Sequence, residues 1–232
     1  MPTDSIKQTK TTPVKTTAKK PSATKPTASK LVKNLLKPTI LESGSLRLNL
    51  GAGYTRFDGF INVDKFESAG TDWVMDMEKT PWDLPDNSVS EVKLHHILEH
   101  VGKDVDGYMA IWQELYRVCV DGASLSVIVP HPRHDTFIGD PTHIRPITPI
   151  GLAMLDRVQC QYWIDNHLAN TTLALYYGVD FVIEQTTFDF EQSWINRFNK
   201  GEITESQLFI AEKELNNVCL QYRFTMRVRK PT

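Results

Sequence analysis

The feature that most constrains the fold is a series of short apolar stretches separated by turn residues. Each stretch is rich in β-branched and other apolar residues and is short enough to be a buried strand. Five of them follow one another from residue 46 onward: Leu46–Leu50, Phe60–Asp64, Asp72–Asp76, Glu91–His96 and Ala123–Pro130. This pattern predicts a sheet whose strands follow one another along the chain.

A helix pattern separates the fourth and fifth stretches. Its apolar residues recur at the three- and four-residue spacing of one helical face: Tyr108, Ile111, Trp112, Leu115 and Tyr116. A predicted turn at Asp121-Gly122 then leads into the fifth strand. Strands alternating with helices are typical of an α/β fold. We therefore predict a Rossmann-like, mostly parallel sheet with helices on both faces.

The C-terminal end predicts a different pairing. Residues 218–229 alternate apolar and polar side chains over twelve positions, as expected for a half-exposed antiparallel strand. Its predicted partner is Gly178–Phe190, and a helical stretch around Glu205–Asn216 lies between the two. The sheet is therefore expected to finish with an antiparallel strand pair.

The N-terminal residues differ from the rest in charge and composition. Residues 1–40 carry nine Lys and one acid, Asp4, so their balance is +8; the whole chain carries −2, which leaves −10 for the rest. Lys, Thr, Pro, Ala and Ser dominate this segment and offer little to bury. We predict a disordered tail over 1–40 and one domain over 41–232, with a short helix at Leu31–Leu36 that docks on the domain.

Two roles remain open for this tail. It could be a basic arm that attracts nucleic acid or another polyanion. It could equally be a tether with no specific partner. The sequence does not decide between the two, and it leaves the oligomeric state open as well.

Cysteine use and hydropathy indicate the compartment. Cys119, Cys160 and Cys219 are far apart and form no CxxC pair, which suits a reducing environment. No apolar run approaches the roughly 18–20 residues of a membrane span, and the N-terminus has no apolar signal segment. We expect a cytoplasmic protein with no membrane segment.

The strand ends carry the residues that indicate a cofactor. Ligands of open α/β sheets bind beyond the carboxyl ends of the strands. Here the first strand runs into Gly51-Ala52-Gly53, where the backbone can approach a ligand, and the second ends at Asp64, an acceptor for two ribose hydroxyls. The third ends at Asp76, and the fourth at His95 and His96.

The type of cofactor follows from the motifs that are missing. The dinucleotide motif GxGxxG fails because Arg56 stands in place of its third glycine. The chain has no GxxxxGK[ST] phosphate loop either. An adenosine cofactor without a pyrophosphate fits what remains.

Three blocks then resemble a known family. LNLGAGYTRFDGFINVD, DMEKTPWDLPDNSVSEV and LHHILEHV, in this order, resemble the small type 11-like group of class I S-adenosylmethionine-dependent methyltransferases. The resemblance covers roughly residues 46–130. It implies S-adenosylmethionine as cofactor and methyl transfer to an unidentified acceptor: a small molecule or glycan first, or a nucleobase.

The resemblance also implies roles for single residues. Gly51, Ala52 and Gly53 would border the methionine part of the cofactor, and Asp64 would hold the ribose. Asp76 and the backbone of Met77 would meet the adenine, and His95 and His96 would line the pocket near the sulfonium. The complete predicted cofactor set is Gly51, Ala52, Gly53, Tyr54, Asp64, Lys65, Asp76, Met77, His95 and His96.

The chain departs from this family at three places. Asn49 stands where the family often has an acid, and Thr55 replaces a further glycine. The connection from Gly51 to Gly59 is also too short for the crossover helix expected between parallel strands.

The segment from His131 to Pro146 follows the fifth strand and is dense in titratable groups. Loops at this place cover the substrate in many α/β enzymes. A histidine is suited to accept a proton from the methyl acceptor, an acid could orient it, and Arg133 or Arg145 could hold an anionic group. The predicted catalytic residues are His131, His134, Asp135 and His143, with Asp140 as a second orienting acid. The alternative is a polar loop held by its own hydrogen bonds.

Two further functions fit parts of the sequence. HILEH at His96–His100 matches the H-x-x-E-H pattern of a zinc hydrolase, with His96 and His100 on one face of a predicted helix, but no third ligand is evident and no metal ligand is assigned. The other alternative is a catalytically inactive Rossmann-like binding protein with a basic tethering tail.

Overall fold

The computed structural model describes residues 46–231, so the predicted tail, the 40/41 boundary and the Leu31–Leu36 helix lie outside the described residues. The described part forms one sheet with the order β3-β2-β1-β4-β5-β7-β6. Its strands are β1 (Leu46–Leu50), β2 (Ile61–Asp64), β3 (Trp73–Val74), β4 (Val89–His95), β5 (Cys119–Pro130), β6 (Phe181–Phe190) and β7 (Cys219–Val228).

Strand directions confirm the predicted mixed sheet. The first five strands pair in parallel, for example Leu50 with Leu94 between β1 and β4. The last strand, β7, lies antiparallel between β5 and β6, with Val129 opposite Tyr222. The long apolar and polar alternation of β7 follows from this place, since one of its faces is buried and the other is not.

Seven helices lie within the described residues, in addition to a 3-10 turn at Leu98–His100. The longest is α1, which has 14 residues and begins after the N-cap Asp104. No helix between residues 46 and 231 is long and apolar enough to cross a membrane. The helices are α1 (Val105–Val118), α2 (Asp135–Ile138), α3 (Pro149–Ala153), α4 (Arg157–Asp165), α5 (Leu173–Tyr177), α6 (Gln192–Asn199) and α7 (Glu205–Glu214).

The core lies between one face of the sheet and the helices that follow β4. Leu48, Leu94 and Val127 point from neighbouring strands into one buried cluster. Trp112 of α1 is fully buried in that cluster and meets the ring of Phe181 at 4.9 Å between centroids. α1 therefore packs on β5 and β6. The carboxyl ends of the parallel strands lie together at one end of the sheet and stay uncovered by this helix.

The opposite face of the sheet is polar and is covered by the β1–β2 connection. Arg47 pairs with Glu91 at 2.6 Å on this face. The ammonium group of Lys93 lies 4.9 Å from the ring centre of Phe57 and 4.8 Å from that of Phe60. The connections between β1, β2, β3 and β4 contain no α-helix, so the cover on this face consists of loop residues.

Buried amides hold the β1–β2 connection in place of a crossover helix. Asn62 is fully buried, and its side-chain oxygen accepts hydrogen bonds from the Asn49 amide (3.0 Å) and the Phe57 backbone N–H (2.9 Å). Its amide nitrogen donates to the Phe60 carbonyl and to Asp72. Asn49 therefore closes the connection.

Two local predictions differ from the structure. The LEH segment forms one 3-10 turn, and His96 before it has a φ of 53°, so His96 and His100 do not share an α-helical face. The predicted turn at Asp121-Gly122 lies inside β5, where the register with β4 shifts between Cys119 and Ser124. Gly122 absorbs this bulge with a φ of 76°.

Replacing Asn62 with Leu should destabilise the domain by about 2–3 kcal/mol, because the Phe57 N–H and the Asn49 amide lose their buried acceptor. Urea unfolding of the wild type and the variant measures this loss. Asn196→Leu on the exposed side of α6 is the matched control and should stay within about 0.5 kcal/mol of the wild type. Equal stabilities of the two variants would contradict the role given to Asn62.

Candidate functional site

A cavity of about 220 Å³ opens at the carboxyl ends of β1, β2 and β3. We call it the strand-end cavity. The end of each of these strands contributes to its wall, and so does the 3-10 turn after β4. Six of its lining residues are Gly51, Asp64, Lys65, Asp76, Met77 and His100. Five of these belong to the predicted cofactor set, and His100 is an addition.

Gly51 makes the sharp exit from β1 that opens this cavity. Its φ of 73° lies in the left-handed region that disfavours a side chain. A Cβ at this position would lie 2.7 Å from the side chain of Ile97. Gly53 also has a positive φ of 52°, but a Cβ there would meet nothing within 4 Å. The backbone conformation favours glycine at both positions, and only Gly51 also lacks room for a Cβ.

Asp64 joins the glycine loop to the end of β2. One carboxylate oxygen accepts a hydrogen bond from the Gly53 N–H at 2.7 Å, and the other accepts one from the Phe66 N–H at 2.9 Å. A carboxylate has about four lone-pair directions, so both oxygens can still accept hydroxyl donors from the cavity. The residue is thus both a brace for the loop and an acceptor in the cavity wall.

Asp76 and Met77 form the far wall of the same cavity. The Asp76 carboxylate lies 3.2 Å from the ammonium of Lys65, whose side chain is half exposed. The Met77 carbonyl accepts a hydrogen bond from the buried Trp82 indole at 3.0 Å, which fixes this part of the backbone. The structure therefore brings Asp64, Lys65, Asp76 and Met77 together as predicted.

A second cavity of about 410 Å³ lies on the polar face of the sheet, and Gly51 lines both cavities. We call it the polar-face cavity. Ala52, Gly53, Tyr54, His95, His96 and Arg223 are among its other lining residues. Tyr54 is 90% exposed at the rim. The predicted cofactor set is therefore divided between two cavities that meet at Gly51.

His95 is held in its neutral form in this second cavity. Burial, with the nearby charges of Lys93, His96 and Arg223, lowers the pKa of His95 to about 4. Its Nε2 is 2.9 Å from the Ser126 hydroxyl, and its ring meets Phe57 edge-on. At neutral pH the cavity therefore contains an uncharged imidazole.

The first two histidines of the loop after β5 are held in structural contacts. His131 is buried: its Nδ1 accepts the Arg133 N–H, so its Nε2 carries the proton and donates to Glu212 at 2.8 Å. Burial lowers the pKa of His131, against the effect of Glu212. His134 is also buried, accepts the Thr136 N–H as the cap of α2, and lies 2.9 Å from Glu191.

Neither His131 nor His134 lines the two cavities described above. Their catalytic roles stay predictions that no contact in the structure supports, and the alternative of a loop held by its own hydrogen bonds describes both. Asp135 is exposed at the start of α2. His143 is the predicted catalytic residue that lies beside Glu99 and His100.

The two arginines of this loop are occupied by backbone contacts. The Arg133 guanidinium donates to the Glu212 carbonyl. Arg145 donates to the Gly102 carbonyl at 2.8 Å, and its guanidinium stacks over the ring of Tyr108 at 4.3 Å. The structure therefore places both in support of the loop, away from the predicted role of holding an anionic substrate.

Sequence reasoning missed Gln221 and Arg223, which line the polar-face cavity from β7. The alternation of β7 placed both residues on its polar face. It could not show that β7 pairs with β5 and so brings them beside His95 and Ile128. The pairing of distant strands is the missing information.

The fold matches solved methyltransferases. No model of a known protein family matches the sequence, and no curated protein matches it either. A SAM dependent methyltransferase from Archaeoglobus fulgidus matches with a TM-score of 0.51 and 19% identity, over 85% of this chain and 93% of that chain. A SAM-dependent methyltransferase from Methanosarcina mazei has a TM-score of 0.47 and 11% identity, over 87% of this chain and 98% of that chain. The first likeness confirms the class I methyltransferase fold.

Gly51→Ala should cost more stability than Gly53→Ala. Both variants force a side chain into left-handed backbone, but only the first adds a close contact with Ile97. We expect that contact to lower the free energy of unfolding by about 1–3 kcal/mol more. Thermal and urea unfolding of the two variants measure the difference. The double variant Gly51→Ala/Ile97→Ala should recover part of it, whereas equal losses in the two single variants would contradict the assignment.

His95 should titrate near pH 4 in the folded protein, measured by NMR of its imidazole. Because its pKa is lower than the usual value of about 6.5, the unfolded chain takes up this proton first as the pH falls. Stability should therefore decline between pH 6.5 and 4 by about 1–2 kcal/mol, after allowance for partial exposure. His95→Asn should make this decline smaller by that amount, and His167→Asn should leave it unchanged.

Proposed function

We propose that this protein is an S-adenosylmethionine-dependent methyltransferase. The observation that carries the proposal is the strand-end cavity, in which Gly51, Asp64 and Asp76 follow three adjacent parallel strands. The donor and acceptor chemistry of this wall fits an adenosine cofactor, since two carboxylates can accept hydroxyl and amino hydrogens. The class I methyltransferase fold supports the same proposal.

Each part of the cofactor has a matching part of the wall. Asp64 would accept the ribose hydroxyls, and Asp76 with the Met77 backbone would meet the adenine edge. The loop Gly51–Gly53, with Tyr54 at the rim, would border the methionine part where the two cavities join. Lys65 lies 3.2 Å from Asp76 and would hold that carboxylate in position.

When bound, S-adenosylmethionine supplies a methyl group activated by a sulfonium. The protein's part is to hold the acceptor in line with the methyl group and to exclude competing water. His95 suits this place because its imidazole is neutral at physiological pH and adds no charge that would repel a cationic sulfonium. His96 shares the wall of the polar-face cavity and is about half exposed.

The acceptor would enter through the polar-face cavity, which we propose to take a small molecule or a glycan, or a nucleobase. Arg223 and Gln221 offer donors there for oxygen or carboxylate groups. A base is needed only for an O–H or N–H acceptor. His143 is the member of the predicted catalytic set whose Nε2 is not held by a hydrogen bond to another residue within 46–231.

The cysteines agree with a cytoplasmic enzyme. Cys119, Cys160 and Cys219 are all buried and unpaired. This arrangement supports the proposed reducing compartment. An inactive binding protein with a tethering tail would use the same strand-end cavity, so turnover separates it from the proposed enzyme. The zinc-hydrolase alternative does not account for the two carboxylates, Asp64 and Asp76, in that wall.

Calorimetry with S-adenosylhomocysteine tests the cofactor proposal. The wild type should bind it, and Asp64→Asn or Asp76→Asn should weaken binding by roughly tenfold or more, since each loses charge-assisted hydrogen bonds worth about 1.5–3 kcal/mol. Asp83→Asn, an exposed acid outside the cavity, is the control and should bind normally. No binding by the wild type would exclude the proposal, and binding without product on any acceptor of a mass-detected panel would favour the inactive alternative.

A further inference from the structure

A cluster of potential metal ligands lies beside the cofactor cavities. One carboxylate oxygen of Glu99 and one imidazole nitrogen each of His100 and His143 all lie within 4.8 Å of one another. Glu99 and His100 come from the 3-10 turn after β4, and His143 comes from the loop after β5. Two backbone hydrogen bonds, from Ile144 and Arg145 to the Glu99 carbonyl, hold these segments together.

Glu99 is the unusual member of the cluster. Its side chain is 1% exposed, and neither carboxylate oxygen has a hydrogen-bond partner within residues 46–231. His96 Nδ1 lies 3.6 Å from a Glu99 carboxylate oxygen, within ion-pair range when that ring is protonated but beyond hydrogen-bond distance. Buried carboxylates are otherwise paired or bound to a metal, because an isolated buried charge is costly. The Glu99 carboxylate is therefore placed to bind a cation.

The two imidazoles are oriented to offer lone pairs. His143 Nδ1 lies 3.0 Å from the Phe137 carbonyl, so it must carry the proton and donate, which leaves Nε2 as an acceptor. This backbone contact is the usual way to fix the tautomer of a histidine that ligates a metal. His143 Nε2 lies 3.7 Å from Asp140, too far for a hydrogen bond.

His100 is fixed in the same tautomer through a side-chain relay. The Thr142 hydroxyl donates to Asp140 at 2.7 Å, so its oxygen is left to accept from His100 Nδ1 at 3.0 Å. His100 Nε2 is therefore also an unprotonated acceptor. Each imidazole therefore offers one nitrogen lone pair beside the buried carboxylate, and no hydrogen-bond donor within residues 46–231 occupies either lone pair.

We propose that Glu99, His100 and His143 bind a divalent transition-metal ion. Two imidazoles and one carboxylate match zinc and similar ions, whereas magnesium prefers oxygen ligands. Tetrahedral bonds of about 2.1 Å place ligand atoms about 3.4 Å apart, so the ligands close by modest rotation around the ion. A third cavity of about 200 Å³ is lined by these three residues and by His96, whose Nδ1 lies 3.6 Å from Glu99.

The position of the ion gives it access to the proposed reaction site. His100 lines the strand-end cavity as well as this third cavity, and His96 lines the third cavity and the polar-face cavity. Cation binding does not rest on the proposed function, because it is measured without cofactor or acceptor. Failure of either proposal therefore leaves the other intact.

The test is titration of Zn²⁺ into the full chain after chelator treatment, followed by calorimetry, with Co²⁺ absorption as a signature of coordination. The wild type should bind one ion per chain. Glu99→Gln and His143→Ala should each weaken binding by about tenfold or more, and Thr142→Val, which frees the His100 tautomer, by about tenfold. His167→Asn, an exposed histidine outside the cluster, should bind like the wild type.

Glu99→Gln also separates loss of a ligand from loss of the fold. It removes the unpaired buried charge, so the metal-free variant should melt at the wild-type temperature or above it. The proposal is overturned if the wild type binds no stoichiometric Zn²⁺, or if Glu99→Gln and His143→Ala both bind it as tightly as His167→Asn does.

Discussion

The open edge of the sheet depends on the buried amide of Asn62. A parallel pair of strands usually needs a crossover helix to return the chain, and that helix also covers one face of the sheet. Here the return from β1 to β2 takes only the residues between Gly51 and Phe60, and Asn62 satisfies the loop's polar groups with Asn49 and Asp72. A few hydrogen bonds thus replace a helix, and a separate one from the Gly53 N–H to Asp64 holds the glycine turn at the point where both cavities meet.

The absence of that helix also explains the chemistry of the polar face. Because loop residues cover it only in part, His95 on β4 and the polar residues Gln221 and Arg223 on β7 line a cavity there. The same half-buried setting keeps His95 neutral, since it loses hydration and faces Lys93 and Arg223. The protein therefore combines an acidic wall for the proposed adenosine with a wall of Arg223, Gln221 and neutral His95 for the proposed acceptor, on either side of Gly51.

Four histidines fall into two groups that differ in the contacts of the second ring nitrogen. In His131 and His134 both ring nitrogens have partners, and the two residues tie the loop after β5 to Glu212 of α7 and to Glu191 after β6. In His100 and His143 one nitrogen is fixed and the other is left as an acceptor beside Glu99. Histidines that look alike in the sequence therefore have different roles. Two of them support the loop after β5, and the other two, as we propose, bind a metal ion.

The sequence by itself determined the strand order along the chain, the antiparallel end of the sheet and which residues stand at the strand ends. These features are local, because periodicity and turn residues act within a few positions. Only the tertiary structure decided that Glu99 and His143 meet, that Arg223 faces His95, and that His131 and His134 are engaged. Such contacts join segments far apart in the chain, and no local pattern encodes which of them fold together.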